Sequence, residues 1–234
     1  MKSFTRIALG GAALLAASAA LPSVSHADTF TFTSCELSAP PGCGTATNFG
    51  TVTLTQSGAD VNVSVVLTPG NIFAATGAGQ QFLFLFNDAV PGSTVTGATA
   101  TVNGVDQTPP ALTGVTNTTI VITAGGGALG TFTAGIECTL GCMGTSSPLG
   151  TVNDLHFTAT NVTLAQLETQ NAAGINFIAD IGCGQTGCPA GGAAANTGLV
   201  NAVPGPILGA GLPGLIAACT GLVALARRRR KLVV

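Results

Sequence analysis

Basic side chains are missing from the middle of the sequence. Between Asp28 and Val203 the chain has no lysine and no arginine, whereas all nine of its acidic residues lie there. Recognition of a nucleic-acid backbone depends on lysine and arginine, and so does the clamping of a phosphate or carboxylate substrate. We therefore exclude nucleic acid as a partner of this stretch and expect no anion-binding active site in it.

Residues that typically carry catalysis are also scarce. The sequence has no phosphate-binding loop, and His156 is the only histidine after residue 27. Asp154 and Asp180 could form the carboxylate pair of a carbohydrate-acting enzyme, but the acidic residues are otherwise scattered along the chain. We predict a protein that is not an enzyme, with no catalytic residue, no metal ion and no cofactor.

The amino-terminal segment has the pattern of a secretory leader. Two basic residues precede an apolar run over residues 7–21, and Ser25 and Ala27 place small side chains three residues and one residue before Asp28. This order of charge, apolar run and small residues is typical of a cleavable signal peptide. We predict a signal peptide over residues 1–27, and the secretion machinery and signal peptidase as partners.

The carboxy-terminal segment has the pattern of a membrane anchor. Residues 207–226 carry no charge, and a helix of this length spans about 30 Å, the thickness of a bilayer core. Basic clusters stay on the cytoplasmic side of a membrane. We therefore predict a transmembrane helix that holds the preceding domain outside the cytoplasm, stopped by five basic residues: Arg227, Arg228, Arg229, Arg230 and Lys231.

The order of segments at this end carries a resemblance to a known family. A proline motif formed by Val203, Pro204, Gly205 and Pro206, then one apolar span, then a basic cluster, resembles the PEP-CTERM sorting signal, here over residues 203–231. Gly205 stands where the family usually has Glu. The resemblance implies cleavage near the motif by an exosortase-type membrane peptidase. It also implies that the outer domain moves from the inner membrane to the cell surface or the extracellular space.

The region between the two ends has the pattern of strands. It contains 31 threonines, and threonine suits a solvated strand face. Alternation over residues 51–55 and 61–67 predicts a hairpin, and Phe82–Phe86 is apolar on both faces, as in a strand buried on both sides. We predict one all-β sandwich of jelly-roll type over residues 28–182. Residues 183–202, rich in glycine and alanine, are predicted to form a tether.

Six cysteines of the exported region come in three close pairs. In an exported domain an even number of cysteines indicates disulfides, although six cysteines allow fifteen pairings. Short loops close most readily, so we expect three local bridges. The alternative is a zinc site, which pairs at these spacings can also provide. The pairs are Cys35 with Cys43, Cys138 with Cys142, and Cys183 with Cys188.

These observations together predict an exported protein of the cell surface or biofilm matrix. It is first anchored in the membrane and then processed, and its role is structural or polysaccharide-associated rather than enzymatic. Threonine-rich and asparagine-rich strand faces can hydrogen-bond a polysaccharide without strong charge. Two alternatives stay open at this point: a carbohydrate-acting enzyme and a homotypic adhesin.

Overall fold

The computed structural model describes ten stretches of the chain, with short gaps between them. They are residues 27–37, 43–74, 82–88, 90–102, 105–107, 112–116, 118–124, 127–138, 152–193 and 196–204. Within these ranges no helix is long and apolar enough to cross a bilayer. The predicted leader up to residue 26, the transmembrane helix over 207–226 and the basic cluster over 227–231 lie outside the described residues.

The described residues form fourteen strands and one short helix, which confirms the predicted all-β class. All strand pairs are antiparallel. The elements are β1 (Ala27–Leu37), β2 (Gly50–Ser57), β3 (Asp60–Leu67), β4 (Ile72–Phe73), β5 (Phe82–Phe86), β6 (Thr94–Val102), β7 (Val105–Gln107), β8 (Leu112–Val115), β9 (Ile120–Ala124), β10 (Gly127–Phe132), β11 (Ala134–Cys138), β12 (Asp154–Thr160), α1 (Leu164–Leu167), β13 (Phe177–Gly182) and β14 (Thr197–Pro204).

Twelve strands join into one sheet that nearly closes on itself. Its order is β7-β6-β12-β3-β2-β1-β14-β13-β5-β11-β8, with β4 paired to β13, while β9 and β10 form a separate hairpin. The sheet curves until β8 lies near β6, where the Thr116 hydroxyl donates to the Ser93 carbonyl over 3.1 Å. Gly114 lies so close to Val95 that an added Cβ would come within 2.3 Å of it. The arrangement is therefore barrel-like or sandwich-like, and the jelly-roll type stays a prediction.

The predicted hairpin is confirmed, and its alternation sets the two faces of the sheet. β2 and β3 pair without a break from Gly50 opposite Leu67 to Ser57 opposite Asp60. The two-residue turn between them includes Gly58, whose φ of 65° suits glycine. Side chains in a strand alternate between faces, and every second residue of β3 is buried. The apolar face of this hairpin therefore points inward and the polar face points to solvent.

The strand Phe82–Phe86 is buried along its whole length, as its sequence predicts. On the inner side Phe84 stacks on Phe177 with ring centroids 5.7 Å apart, and it contacts Phe157 at 5.9 Å. On the outer side Leu85 packs with residues of the β9–β10 hairpin, including Phe132. This hairpin covers the outer face of β5 and β13, so both strands are buried on both sides.

The predicted tether over residues 183–202 is corrected by the structure. Thr197–Pro204 is a strand that pairs with β1 on one side and with β13 on the other. Leu199, Val200 and Ala202 of this strand are all about 1% exposed. The small residues that suggested a flexible tether instead fill a strand with neighbours on both edges. The folded domain therefore extends to Pro204 rather than ending at residue 182.

Candidate functional site

The outer face of five neighbouring strands is covered with hydroxyl and amide side chains. On β6, β12, β3, β2 and β1 these residues alternate with the apolar residues of the core. All of them are exposed or half-exposed. We call this surface the threonine face, and its residues are Thr29, Thr31, Thr51, Thr53, Thr55, Asn62, Ser64, Thr94, Thr96, Thr99, His156, Thr158 and Thr160.

Strand register aligns these side chains in rows across the sheet. Thr53 lies opposite Thr29 on one side and Ser64 on the other, and the row continues through His156 to Thr99. Neighbouring strands lie about 4.8 Å apart, and two residues of one strand that point to the same face are about 6.7 Å apart. The rows therefore form a two-dimensional grid of hydrogen-bonding groups.

Hydrogen bonds within this grid connect neighbouring strands. The hydroxyls of Thr94 and Thr160 lie 2.7 Å apart, and the Thr158 hydroxyl donates to Asn62 Oδ1 over 3.0 Å. Such cross-strand pairs hold side-chain rotamers in place. The threonine face is consequently partly ordered before any partner binds to it.

Acidic residues of the threonine face lie at its two ends. Asp154 and Asp60, both half-buried, lie two residues from His156 and Asn62 on the same side of β12 and β3. The exposed apolar residue of this face is Val66, which is 41% exposed and lies opposite Thr51. Between its ends the face therefore offers mainly uncharged donors and acceptors, and it carries no lysine or arginine.

The first half of the predicted processing motif lies inside the sheet. Val203 pairs with Thr31, and Pro204 pairs with Phe30 near the start of β1. Gly205 and Pro206 lie outside the described residues. Because β1 begins where β14 ends, both chain ends leave the sheet side by side. We call this the terminal end of the sheet.

Two carboxylates meet at the terminal end. The side chains of Asp28, on β1, and Glu168, just after α1, share a hydrogen bond. Burial, with the hydrogen bond and the repulsion from Asp28, raises the pKa of Glu168 from its ordinary 4.5 to about 7. Glu168 Oε1 is buried without a hydrogen-bond partner among the described residues. Below about pH 7 Glu168 is therefore mainly protonated and can take part in the hydrogen bond with Asp28 as a donor.

The opposite end of the sheet holds the cysteines, and we call it the disulfide end. Cys35 and Cys43 are bridged with their Cα atoms 6.2 Å apart, and Cys183 and Cys188 with theirs 5.9 Å apart. Both are consistent with the predicted local pairing. Cys138 is also disulfide-bonded, and Cys142 lies outside the described residues.

The segment directly after Cys43 packs against the loop between Cys183 and Cys188. The Thr45 amide donates to the Gly187 carbonyl over 2.9 Å. Gly44 approaches the same carbonyl so closely that a Cβ would come within 2.2 Å of it. Asn71, only 1% exposed, joins the loops to the sheet, because its amide accepts from the Gly184 amide and donates to Gln185 Oε1.

The residues considered for catalysis are spread over the structure. Asp154 lies on β12 and Asp180 on β13, with four strands between them in the sheet order. Asp180 is 1% exposed. Among the described residues, no group of three or more histidines, cysteines or acidic residues could hold a metal ion.

Comparison with known proteins adds no assignment. The chain matches no family model, no curated protein and no solved structure. The sequence does contain a pattern that marks the position of the threonine face, although the threonine content alone does not. It is the alternation of threonine with apolar residues in Thr29-Phe30-Thr31-Phe32-Thr33 and in Thr51-Val52-Thr53-Leu54-Thr55.

Proposed function

We propose that this chain is an exported, non-enzymatic protein of the cell surface or extracellular matrix that binds a neutral polysaccharide through its threonine face. The observation that carries the proposal is the grid of hydroxyl and amide groups over five strands, which is partly ordered by cross-strand hydrogen bonds and is mainly uncharged between its ends. Sugar hydroxyls both donate and accept hydrogen bonds, and threonine, serine and asparagine side chains do the same.

Charge favours a neutral polymer over an acidic one. The stretch from Asp28 to Val203 carries nine carboxylates and neither lysine nor arginine, so an acidic polysaccharide is repelled at low salt. A neutral chain meets no such penalty. A regular grid also suits a polymer that lies along it, because many weak hydrogen bonds then act together.

Binding to insoluble polysaccharide tests this proposal. The purified protein is mixed with a neutral β-glucan and with an acidic alginate, and the free protein is measured after sedimentation. The central variant is T29V/T53V, because these two residues lie opposite each other. Valine keeps the branched shape and strand propensity of threonine but removes the hydroxyl. Losing two hydrogen-bonding groups is expected to weaken glucan binding at least about tenfold.

A threonine outside the face provides the matched control. Thr47 is exposed in the loop between Cys43 and Phe49 at the disulfide end, and T47V is expected to bind like the unaltered protein. Equal binding by T47V and T29V/T53V would contradict the proposal, and so would binding to alginate in preference to glucan. Sugar release from either polymer would instead favour the carbohydrate-acting enzyme.

The route to the surface is part of the same proposal. A leader over residues 1–27 is removed by signal peptidase, the helix over 207–226 anchors the chain in the inner membrane, and the basic residues 227–231 stay in the cytoplasm. An exosortase-type peptidase then cuts near residues 203–206. The supporting observations are the sequence patterns of both ends and their resemblance to PEP-CTERM proteins. Intact-mass measurement of protein from cells and medium tests both cleavages, and a single full-length mass would contradict them.

A further inference from the structure

We infer that removal of the leader before Asp28 creates an amino terminus that forms an ion pair with Glu168 and so fastens the first strand to the segment after α1. The inference rests on the proposed signal-peptidase cleavage. It assigns a structural role to the new amino group, which the uncut chain does not have.

The geometry places the new amino group beside its partner. Asp28 is the second residue of β1 and pairs with Leu54 of β2, and its side chain already contacts that of Glu168. The backbone nitrogen of Asp28 is two bonds from the Cβ that carries this side chain. Cleavage of the bond to Ala27 therefore produces an ammonium group within a few ångströms of the carboxylate pair.

Glu168 is incompletely satisfied in the uncut chain. Its Oε1 is buried and has no hydrogen-bond partner among the described residues, and its other neighbour is the acidic Asp28. A buried carboxylate oxygen without a donor is costly. An ammonium group supplies three donors and a positive charge.

The rest of the domain offers no substitute for this ammonium. No lysine or arginine occurs between Asp28 and Val203. β2 and α1, which lie beside the pair, carry no titratable residue, and neither does β14. Of the other acids at the terminal end, Asp60 accepts from the Asn161 amide and Asp88 from the Val90 amide.

The consequence is an order of events. While the leader is attached, Asp28 and Glu168 share a hydrogen bond, and the repulsion from Asp28 helps to raise the pKa of Glu168. After cleavage the ammonium group of Asp28 attracts both carboxylates at neutral pH. The start of β1 is then held in the sheet most firmly in the exported form.

Acylation of amino groups tests the inference. The full chain is expressed with its leader in an exporting bacterium, and mass spectrometry locates its first residue. The processed protein is treated with limiting acetyl-N-hydroxysuccinimide at pH 7.5, and acetylation of Asp28 is followed with time. In an expression host without an exosortase the basic cluster stays attached, and Lys231, the one lysine that remains after leader removal, serves as an internal reference. Ion pairing raises the pKa of an amino group, so acetylation of Asp28 is expected to be about fivefold faster in E168Q than in the unaltered protein.

Two further variants keep the outcome decisive. E137Q makes the same chemical change on β11, which is separated from β1 by three strands in the sheet order, and is expected to leave the rate unchanged. D28N keeps both Glu168 and the amino group, so its amino terminus is expected to be acetylated as slowly as that of the unaltered protein. Protease resistance of each variant shows that it is folded.

Different results would overturn the predicted leader cleavage and the proposed ion pair. A first residue other than Asp28 would overturn the predicted leader boundary and this inference with it. Cleavage before Asp28 with equal acetylation rates in E168Q and the unaltered protein would overturn this inference alone. Faster acetylation of the amino terminus in D28N would also overturn it. If E168Q proves sensitive to protease, an equal acceleration of acetylation in E137Q would overturn it as well.

Discussion

At the disulfide end, covalent bridges and the buried Asn71 hold the loops, whereas at the terminal end, where the structure describes no disulfide, hydrogen bonds of polar side chains such as Gln56 join the segments. Asn71 is 1% exposed and bonds to backbone groups on both sides of it. Gln56 is its counterpart at the terminal end, where it donates to the Val162 carbonyl and accepts from the Leu164 amide, but it is only half-buried.

The comparison shows that two amide side chains with similar hydrogen bonds differ in their exposure to water. Each amide side chain joins distant segments through several bonds of about the same length. Water reaches the half-buried Gln56 and can take over its hydrogen bonds, whereas loss of the buried Asn71 side chain also leaves a gap that its surroundings must fill. Loss of Asn71 is therefore expected to cost more stability than loss of Gln56.

The largest expected effect comes from exchanging the two amides for alanine. N71A removes a buried side chain that donates to the Phe49 carbonyl and accepts from the Gly184 amide, so the free energy of unfolding is expected to fall by about 3 kcal/mol. Q56A is expected to lower it by about 1 kcal/mol, because Gln56 is half-buried and water can replace its side chain. Urea unfolding of both variants measures the difference. Equal losses would show that burial does not distinguish the two side chains.

The next effect comes from opening one disulfide loop. The double variant C183S/C188S removes a bridge between residues five apart in sequence, and a loop of this size contributes about 2 kcal/mol. Hydrogen exchange should accelerate at the Cys183 and Gly184 amides and stay unchanged at the Leu164 amide at the terminal end. Acceleration at Leu164 as well would show that the two ends unfold as one unit.

The smallest expected effect is a pH dependence located at the terminal end. In the chain with its leader still attached, the folded state holds a proton on Glu168 up to about pH 7, whereas the unfolded state releases it near pH 4.5. The free energy of unfolding therefore falls as pH rises from 4.5 to 7 and is constant above that. Since the side chain is partly solvated, we expect a fall of about 1 kcal/mol.

The matched measurement compares this chain with E168Q at pH 5 and pH 8. The amide does not titrate, so E168Q is expected to lose this part of the slope. The same slope in both proteins would mean that another group is responsible.

Local patterns predicted the elements that depend on neighbours in sequence. The β2–β3 hairpin follows from alternation across one turn, and the burial of Phe82–Phe86 follows from its apolar residues on both faces. The cysteine pairs lie within a few residues of each other, so their approach needed no knowledge of the fold. In each case the decisive interactions lie within a short stretch of chain.

Features that depend on register could not be predicted in the same way. β14 was missed because Gly198 and Ala202 resemble linker residues until two neighbouring strands enclose them. The threonine face needs Thr29 to lie opposite Thr53, and the carboxylate pair needs Asp28 to meet Glu168. These contacts join segments that are distant in sequence, and the order of strands in the sheet decides them.

The position of β14 has a mechanical consequence. A pull applied to the chain beyond Pro204 acts along a strand that is bonded to β1 on one side and to β13 on the other. Interstrand hydrogen bonds run across the direction of such a pull, so both ladders are loaded in shear and share the tension. A domain tethered through this strand is expected to resist flow and drag better than one tethered through an edge strand, which unzips one bond at a time.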